Sequence, residues 1–392
     1  MRNAVIVACG RSAIGRAPKG ALKDTRTDDI GAQVLSGVLK RAGGLDPSLI
    51  EDLIVGCAFP EAEQGCNVAK TIAFRAGLPA CVPAQTVNRF CASGLQSVAT
   101  AAYAIMSGQT DIAVAGGIES MSMIPMGGNI FAPTPYLMQN YPDAFISMGI
   151  TAENVAVKYG ITREEQDEFA CMSHKKAADA QEKGLFNDEI VPVDAVKMSV
   201  DEKGKPAMST YTFAKDEGVR AETTLESLAK LRTVFKKGGT VTAGNASQMS
   251  DGAAMAVLMA EEKAAELGIK PLAKMLSFAV TGTDPAYMGV GPVDAIPKAL
   301  KIAGKELSDI QLIELNEAFA AQSIACLREL GLNPGIVNVN GGAIALGHPL
   351  GCTGTLVLTK LLYELRRRGG KYGLVSMCIG GGMGAAAVFE ML

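Results

Sequence analysis

Tryptophan is absent from the 392 residues, and histidine occurs only twice, at His174 and His348. Any imidazole chemistry must therefore use one of two side chains. The nine cysteines contain no C-x-x-C pair, and with so little histidine beside them the sequence lacks the clustered ligands of a zinc site. Their odd number argues against a fully paired disulfide scaffold and for reduced thiols, most of them small buried hydrophobes. There is no excess of positive charge: 37 Lys and Arg stand against 40 Asp and Glu, a net charge of −3. A nucleic-acid footprint and adhesion to an acidic membrane surface are thereby disfavoured. No apolar run approaches the ~18 residues that span a bilayer. The apolar stretch 4–8 is too short for a secretory signal and reads as a buried first strand. Phe389-Glu390-Met391-Leu392 is not a peroxisomal address, so the cytoplasm is the expected compartment.

What the chain does have is glycine, 44 residues, well above the usual ~7%. It also has an internal repeat. Ile50-Glu51-Asp52-Leu53-Ile54-Val55 lines up with Ile310-Gln311-Leu312-Ile313-Glu314-Leu315, and Leu39-Lys40-Arg41-Ala42-Gly43 with Leu300-Lys301-Ile302-Ala303-Gly304. Ser93-Gly94 and Thr353-Gly354 each open a helical pattern at the same offset of 260 residues. The same order of short apolar strands and amphipathic helices in both copies predicts a duplicated α/β core of two similar halves, with mostly parallel sheets covered by helices. The clearest predicted strands are 4–8, 53–55, 112–115, 313–315 and 373–377. The domain scheme is a first half over 1–119, an inserted loop domain over 120–248, a return segment over 249–270 and a second half over 271–392. Within the insert, Thr162 and Glu165 form a capping box that starts a charged helix reaching Gly184. His174, beside Lys175 and Lys176, is expected on its solvent face.

Four positions carry candidate chemistry. Cys91, in Val87-Asn88-Arg89-Phe90-Cys91-Ala92-Ser93-Gly94, sits at a helix start, where the helix dipole favours a thiolate; it is either an activated nucleophile or a buried structural thiol. His348, in Gly347-His348-Pro349-Leu350-Gly351, is placed on a tight loop suited to close approach of a ligand. Cys378 precedes Ile379-Gly380-Gly381-Gly382-Met383-Gly384. A dinucleotide fingerprint over 380–385 fails because too little chain follows for its helix and acidic strand end. The glycines then read either as exposed N–H groups beside a thiol or as a tight turn into a last strand. Asn316, at the end of 313–315, either caps a helix or orients a water. All four fall where open α/β folds assemble sites, at strand ends and helix starts.

Together, the stretches 87–94, 316–320, 341–354 and 378–384 resemble the thiolase family, and the resemblance extends over essentially the full length. It implies a layered α/β fold of two core halves with a loop domain, and thiolytic cleavage of a 3-ketoacyl-CoA or the reverse Claisen condensation. Cys91 would be the acylated nucleophile, His348 its base, and Cys378 the second acid/base. Asn316 would hold a water that, with His348, stabilises the enolate, and the N–H groups of Cys91 and Gly380 would hold the thioester oxygen. The family's coenzyme A contacts would fall on Arg220, Ser227, Phe235, Ala243 and Ser247, and its acyl pocket on Met148, Met288 and Phe319. The resemblance implies coenzyme A and acyl-CoA as co-substrate and substrate, no permanently bound cofactor or metal, and a homodimer or homotetramer.

Short-chain acetoacetyl-CoA members tend to carry a histidine just before the Met-Gly pair that stands here as Met148-Gly149; this chain has Ser147. With Leu350 and Cys352-Thr353 in the histidine loop, that departure favours a degradative 3-ketoacyl-CoA thiolase over one that condenses two acetyl-CoA molecules. A decarboxylating ketoacyl synthase is disfavoured because only His348 is available. A non-catalytic CoA- or lipid-binding member would not need all four reactive positions.

Overall fold

A computed structural model describes residues 2–201 and 204–392. The first half runs through strand β1 (Ala4–Arg11), helix α1 (Thr27–Arg41), β2 (Asp52–Gly56), α2 (Val68–Arg75), β3 (Ala84–Val87), α3 (Ser93–Met106) and β4 (Ile112–Ser120). After a long excursion containing helix α4 (Arg163–Glu182), the chain returns as β5 (Ser250–Ala260). The second half repeats the order except that an isolated bridge from Ile313 to Val337 stands where the first half has β3: β6 (Ala273–Gly282), α5 (Gly291–Ala303), β7 (Leu312–Leu315), α6 (Ala320–Leu330), α7 (Leu350–Arg368), β8 (Tyr372–Ile379) and β9 (Met383–Met391). The residues between β4 and β5 add no strand to the large sheet; they contribute a separate hairpin, Val193–Val200 with Pro206–Phe213.

The large sheet has the order β7-β8-β9-β6-β1-β5-β4-β2-β3. Its two halves join only where Val5 and Ile6 of β1 meet Lys274 and Ala273 of β6. The expectation of mostly parallel strands is corrected. Only β2/β3, β2/β4 and β7/β8 are parallel, because the last strand of each half returns alongside its neighbour in the opposite sense. β9 does so through the tight turn at Gly381 and Gly382, whose positive φ values of 79° and 80° favour glycine. β5 does so after the excursion, pairing antiparallel with both β1 and β4.

Helices α3 and α7 lie between the two half-sheets, and their side chains share one apolar core with strands of both halves, including Leu95, Val98, Leu356 and Leu358. The helices cross at their N-termini. A Cβ on Gly354 would sit 2.1 Å from Leu95 N, one on Gly94 2.8 Å from Gly351 O, and Thr355 Oγ1 donates to Gly94 O at 2.9 Å. Glycine at these repeat-related positions therefore serves close helix approach rather than backbone freedom. Helix α1 packs on the outer face of the first half and α5 on that of the second, giving separate outer cores. The predicted capping box is present: Thr162 accepts from Glu165 N, and Glu165 accepts from Thr162 N. Among the described residues, no helix is long and apolar enough to cross a membrane.

Candidate active site

Cys91 lies in a single helical turn, Phe90–Ala92, that feeds directly into α3. Side chains hold the bend before it. Asn88 Oδ1 accepts from Phe90 N at 2.8 Å, and Ser93 Oγ accepts from Arg89 N at 2.9 Å. Phe90 is thereby kept at a φ of 42°, a left-handed conformation that non-glycine residues adopt only when their surroundings enforce it. The backbone N–H groups of Gly380 and of Cys91 itself lie near enough to the Cys91 sulfur to favour its thiolate. The expected dipole-stabilised thiolate is corrected: burial outweighs those two donors and pushes the thiol up to about 11, so Cys91 rests protonated and needs a base.

His348 is buried on the loop before α7. Its backbone N–H is directed to Gln248 O at 3.1 Å and Ser250 Oγ at 3.2 Å, and Gly347 before it has a φ of 112°. The ring tautomer follows from Thr353. With that hydroxyl donating to Pro349 O at 2.9 Å, Oγ1 is free to accept from His348 Nδ1, 2.6 Å away, and the donor Asn316 Nδ2 stands 3.4 Å from Nε2 on the other side of the ring. Nδ1 therefore carries the proton and Nε2 presents its lone pair. Burial pushes the imidazole down to about 4, which keeps it neutral at pH 7.

Asn316 does not cap a helix; α6 begins only at Ala320. Its Nδ2 lies 3.4 Å from His348 Nε2, and its buried Oδ1 has no protein partner. Cys378, near the end of β8, is buried, and desolvation followed by the neighbouring thiols Cys91 and Cys326 holds it well above the ordinary thiol range. Its sensitivity to charge on Cys91 means the two thiols disfavour simultaneous ionisation.

Cys91, His348 and Cys378 open into one cavity of about 500 Å³. Of the other sequence-predicted residues, Met148, Arg220, Phe235, Ala243, Ser247, Met288 and Phe319 line it as well. Gly380 is not part of the lining but stands behind it: a Cβ there would lie 3.3 Å from Met148 Sδ. Ser227 does not line the cavity. It is exposed in the first turn of the short helix Leu225–Ala229, exchanging hydrogen bonds with Thr224. The inner lining is rich in sulfur and apolar carbon, with Met121, Met126 and Met249 added to the predicted methionines. Phe235 and Phe319 meet edge to face, with ring centroids 6.2 Å apart. Arg16 joins Arg220 in the lining, and the two charges are close enough to depress the Arg220 guanidinium after burial has done so.

His174 is corrected from exposed to buried. Its Nδ1 accepts from Arg220 N at 3.2 Å, and burial, then the Arg220 charge, pushes it down to about 4. The same stretch is anchored at Asp216, which with Glu189 encloses the fully buried Arg11 at 2.7 to 2.9 Å. His174 is thus a neutral strut beneath Arg220. Sequence reading also missed Arg16, Gln248 and the role of Thr353 as the histidine's partner. Of these, only Thr353 carries a sequence signal, since the first turn of α7 places it over the preceding loop. Among the described residues, no group of three or more His, Cys, Asp or Glu side chains is placed to hold a metal ion.

The family model for the thiolase N-terminal domain matches residues 4–262, and that for the thiolase C-terminal domain matches 269–391. The chain belongs to the thiolase family. The 3-ketoacyl-CoA thiolase of Bacillus subtilis is 56% identical, with all of both chains covered. The peroxisomal 3-ketoacyl-CoA thiolase B of Rattus norvegicus is 49% identical over 98% of this chain and 90% of its own length. Among solved structures, human mitochondrial 3-ketoacyl-CoA thiolase superposes with a TM-score of 0.90 at 39% identity, covering 100% of this chain and 99% of that one. Bacillus anthracis acetyl-CoA acetyltransferase gives 0.88 at 42% identity with the same coverage.

Proposed function

We propose that the chain is a 3-ketoacyl-CoA thiolase that cleaves its substrate through an acylated Cys91. The observation that carries this reading is the convergence of Cys91, His348 and Cys378 on one cavity. In the thiolytic direction, His348 Nε2 takes the Cys91 proton and the sulfur attacks the C3 carbonyl carbon. The C2–C3 bond then breaks, leaving an acyl thioester on Cys91 and the enolate of acetyl-CoA. Cys378 delivers its proton to C2, and acetyl-CoA departs. Incoming CoA gives its thiol proton to the Cys378 thiolate and attacks the acyl carbon. The Cys91 sulfur leaves and recovers its proton from His348. Two easier steps replace one difficult carbon–carbon cleavage.

The N–H groups of Cys91 and Gly380 would receive the thioester oxygen. His348 and a water held by Asn316 receive the enolate oxygen, and the unpartnered Asn316 Oδ1 supplies an acceptor for such a water. Arg220, with Arg16, suits the phosphates of CoA, while Phe235, Ala243 and Ser247 border the pantetheine path and Met148, Met288 and Phe319 the acyl end. Ser227 lies outside the cavity, exposed on its short helix, and is not assigned a CoA contact. CoA is a co-substrate, and the reaction draws on no permanently bound cofactor. The reading includes a homodimer or homotetramer, a cytoplasmic setting, and the CoA-binding insert over 120–248 between the halves 1–119 with 249–270 and 271–392.

The test is incubation with an acyl-CoA followed by peptide mass mapping. A thioester on the Cys91 peptide is expected; its absence sinks catalysis. Condensation of two acetyl-CoA molecules is the second reading, favoured by the likeness to the acetyl-CoA acetyltransferase structure. Thiolysis of both acetoacetyl-CoA and a medium-chain 3-ketoacyl-CoA supports the degradative assignment, whereas activity confined to the four-carbon substrate replaces it with this second reading.

A further inference from the structure

One buried carboxylate outside the proposed chemistry touches the supports of both reacting groups. Glu119, at the end of β4, is 1% exposed. Its Oε2 accepts from Gly351 N and from Ala58 N, each at 2.8 Å. Its Oε1 accepts from Gln64 Nε2 at 2.8 Å and faces the Cys57 thiol at 3.8 Å. Every one of these neighbours is a donor. A protonated carboxyl would find no acceptor for its hydrogen, so the hydrogen bonding selects the carboxylate despite the burial that pushes the group up.

The two backbone donors lead to the two halves of the site. Gly351 follows His348 by three residues and precedes Thr353, the partner of His348 Nδ1, by two. The fit there is tight. A Cβ on Gly351 would lie 2.6 Å from Ile118 O and 2.9 Å from Glu119 Oε2, and one on Gly117 would lie 2.0 Å from Gly351 O. On the other side, Ala58 O accepts from Asn88 Nδ2 at 2.9 Å, and Asn88 Oδ1 holds Phe90 N, the residue before Cys91. Phe59 also packs against Phe90, with ring centroids 6.2 Å apart. An unbroken chain of short contacts thus runs from the histidine loop through Glu119 to the cysteine turn.

We propose that Glu119 is a positioning residue whose carboxylate sets the separation of His348 from Cys91. It touches neither substrate nor reacting atoms, and its role as a determinant of rate rests on the thiolase reading above. Its charge also reaches the nucleophile, adding to the burial that keeps Cys91 protonated at rest. The titratable groups facing Glu119 are Cys57, Cys91 and Cys352; those facing Cys91 are Glu119, Cys378 and His348.

The experiment compares Glu119→Gln and Glu119→Asp with the parent enzyme in thiolysis kinetics and in the pH dependence of iodoacetamide alkylation of Cys91, read by peptide mass. Glutamine turns an NH2 group toward donors and removes the charge. It should lower kcat by about tenfold or more with little change in KM and move the alkylation midpoint to lower pH. Aspartate keeps the charge but withdraws from Gly351 N, so kcat falls while the midpoint stays. A kcat within about twofold of the parent in either variant overturns the proposal, as does a loss that merely tracks the unfolded fraction. An unmoved midpoint in a folded Glu119→Gln overturns it as well. Should Glu119→Gln not accumulate folded, Glu119→Asp alone decides by the same rate criterion. A parent enzyme that cleaves no 3-ketoacyl-CoA refutes the functional reading instead, and the alkylation midpoint still reports on Glu119 independently.

Discussion

Replacing Thr353 by valine tests the tautomer on which the proposed base depends. The hydroxyl accepts from His348 Nδ1–H at 2.6 Å and donates to Pro349 O at 2.9 Å, and all three groups are buried. Valine keeps the branched shape but leaves the buried Nδ1–H unpaired, a penalty of about 1–3 kcal/mol, while Pro349 O keeps its backbone donors Cys352 N and Thr353 N. Part of that strain is relieved if the ring proton moves to Nε2, where Asn316 stands 3.4 Å away with an unpartnered Oδ1. An imidazole protonated at Nε2 cannot take the Cys91 proton. If the penalty falls on the productive tautomer, the acylation rate drops by about 5- to 150-fold, since a factor of ten corresponds to 1.36 kcal/mol. Single-turnover acylation of Cys91, quenched and read by intact mass, measures this directly. Thr353→Ser restores the acceptor and should recover most of the rate. A valine variant that acylates within twofold of the parent refutes the tautomer assignment, and so does one that loses thermal stability but not rate.

Three further outcomes follow from the same structure. Arg220→Ala should raise KM for CoA about tenfold or more with a smaller change in kcat, because a phosphate-facing cation contributes mainly uniform binding; steady-state kinetics with CoA varied reads the split. Gly354→Ala drives a Cβ to 2.1 Å from Leu95 N, where backbone meets backbone, so it should destabilise the fold by about 1–3 kcal/mol or more in a thermal melt; an unchanged melting temperature contradicts the helix crossing. His174 has a folded value near 4 against the ordinary 6.5, so its neutral form is favoured by folding. The stability it confers is fully present above about pH 6.5 and is lost as pH falls toward 4. Relative to the parent, His174→Asn should therefore lose about 1.4 kcal/mol less stability per pH unit across that window. Denaturant unfolding at pH 6.5, 5.5 and 4.5 tests this, and parallel stability curves refute it.

The duplication was legible because each half needs the same buried strands and glycine-pinched helix, and those demands leave matching residues 260 positions apart, as at Gly94 and Gly354. Strand direction was not legible. The apolar run of β5 suits a parallel or an antiparallel neighbour equally, and only the path of the chain brings it back between β1 and β4. His174 misled because Lys175 and Lys176 mark solvent, while one position earlier the helix turns its other face onto the Arg220 stretch.

By itself, the sequence determined the chemical inventory. With two histidines and four motif blocks it narrowed the candidate reactive groups to Cys91, His348, Cys378 and Asn316, because local turns and helix starts leave composition signatures in neighbouring residues. Tertiary structure alone decided how those groups behave. The Cys91 thiol is raised rather than lowered because burial exceeds what two N–H donors restore, and the His348 proton sits on Nδ1 because the Thr353 hydroxyl is committed elsewhere. Desolvation and the direction of a hydrogen bond depend on neighbours brought together from distant parts of the chain, and no local pattern of residues encodes them.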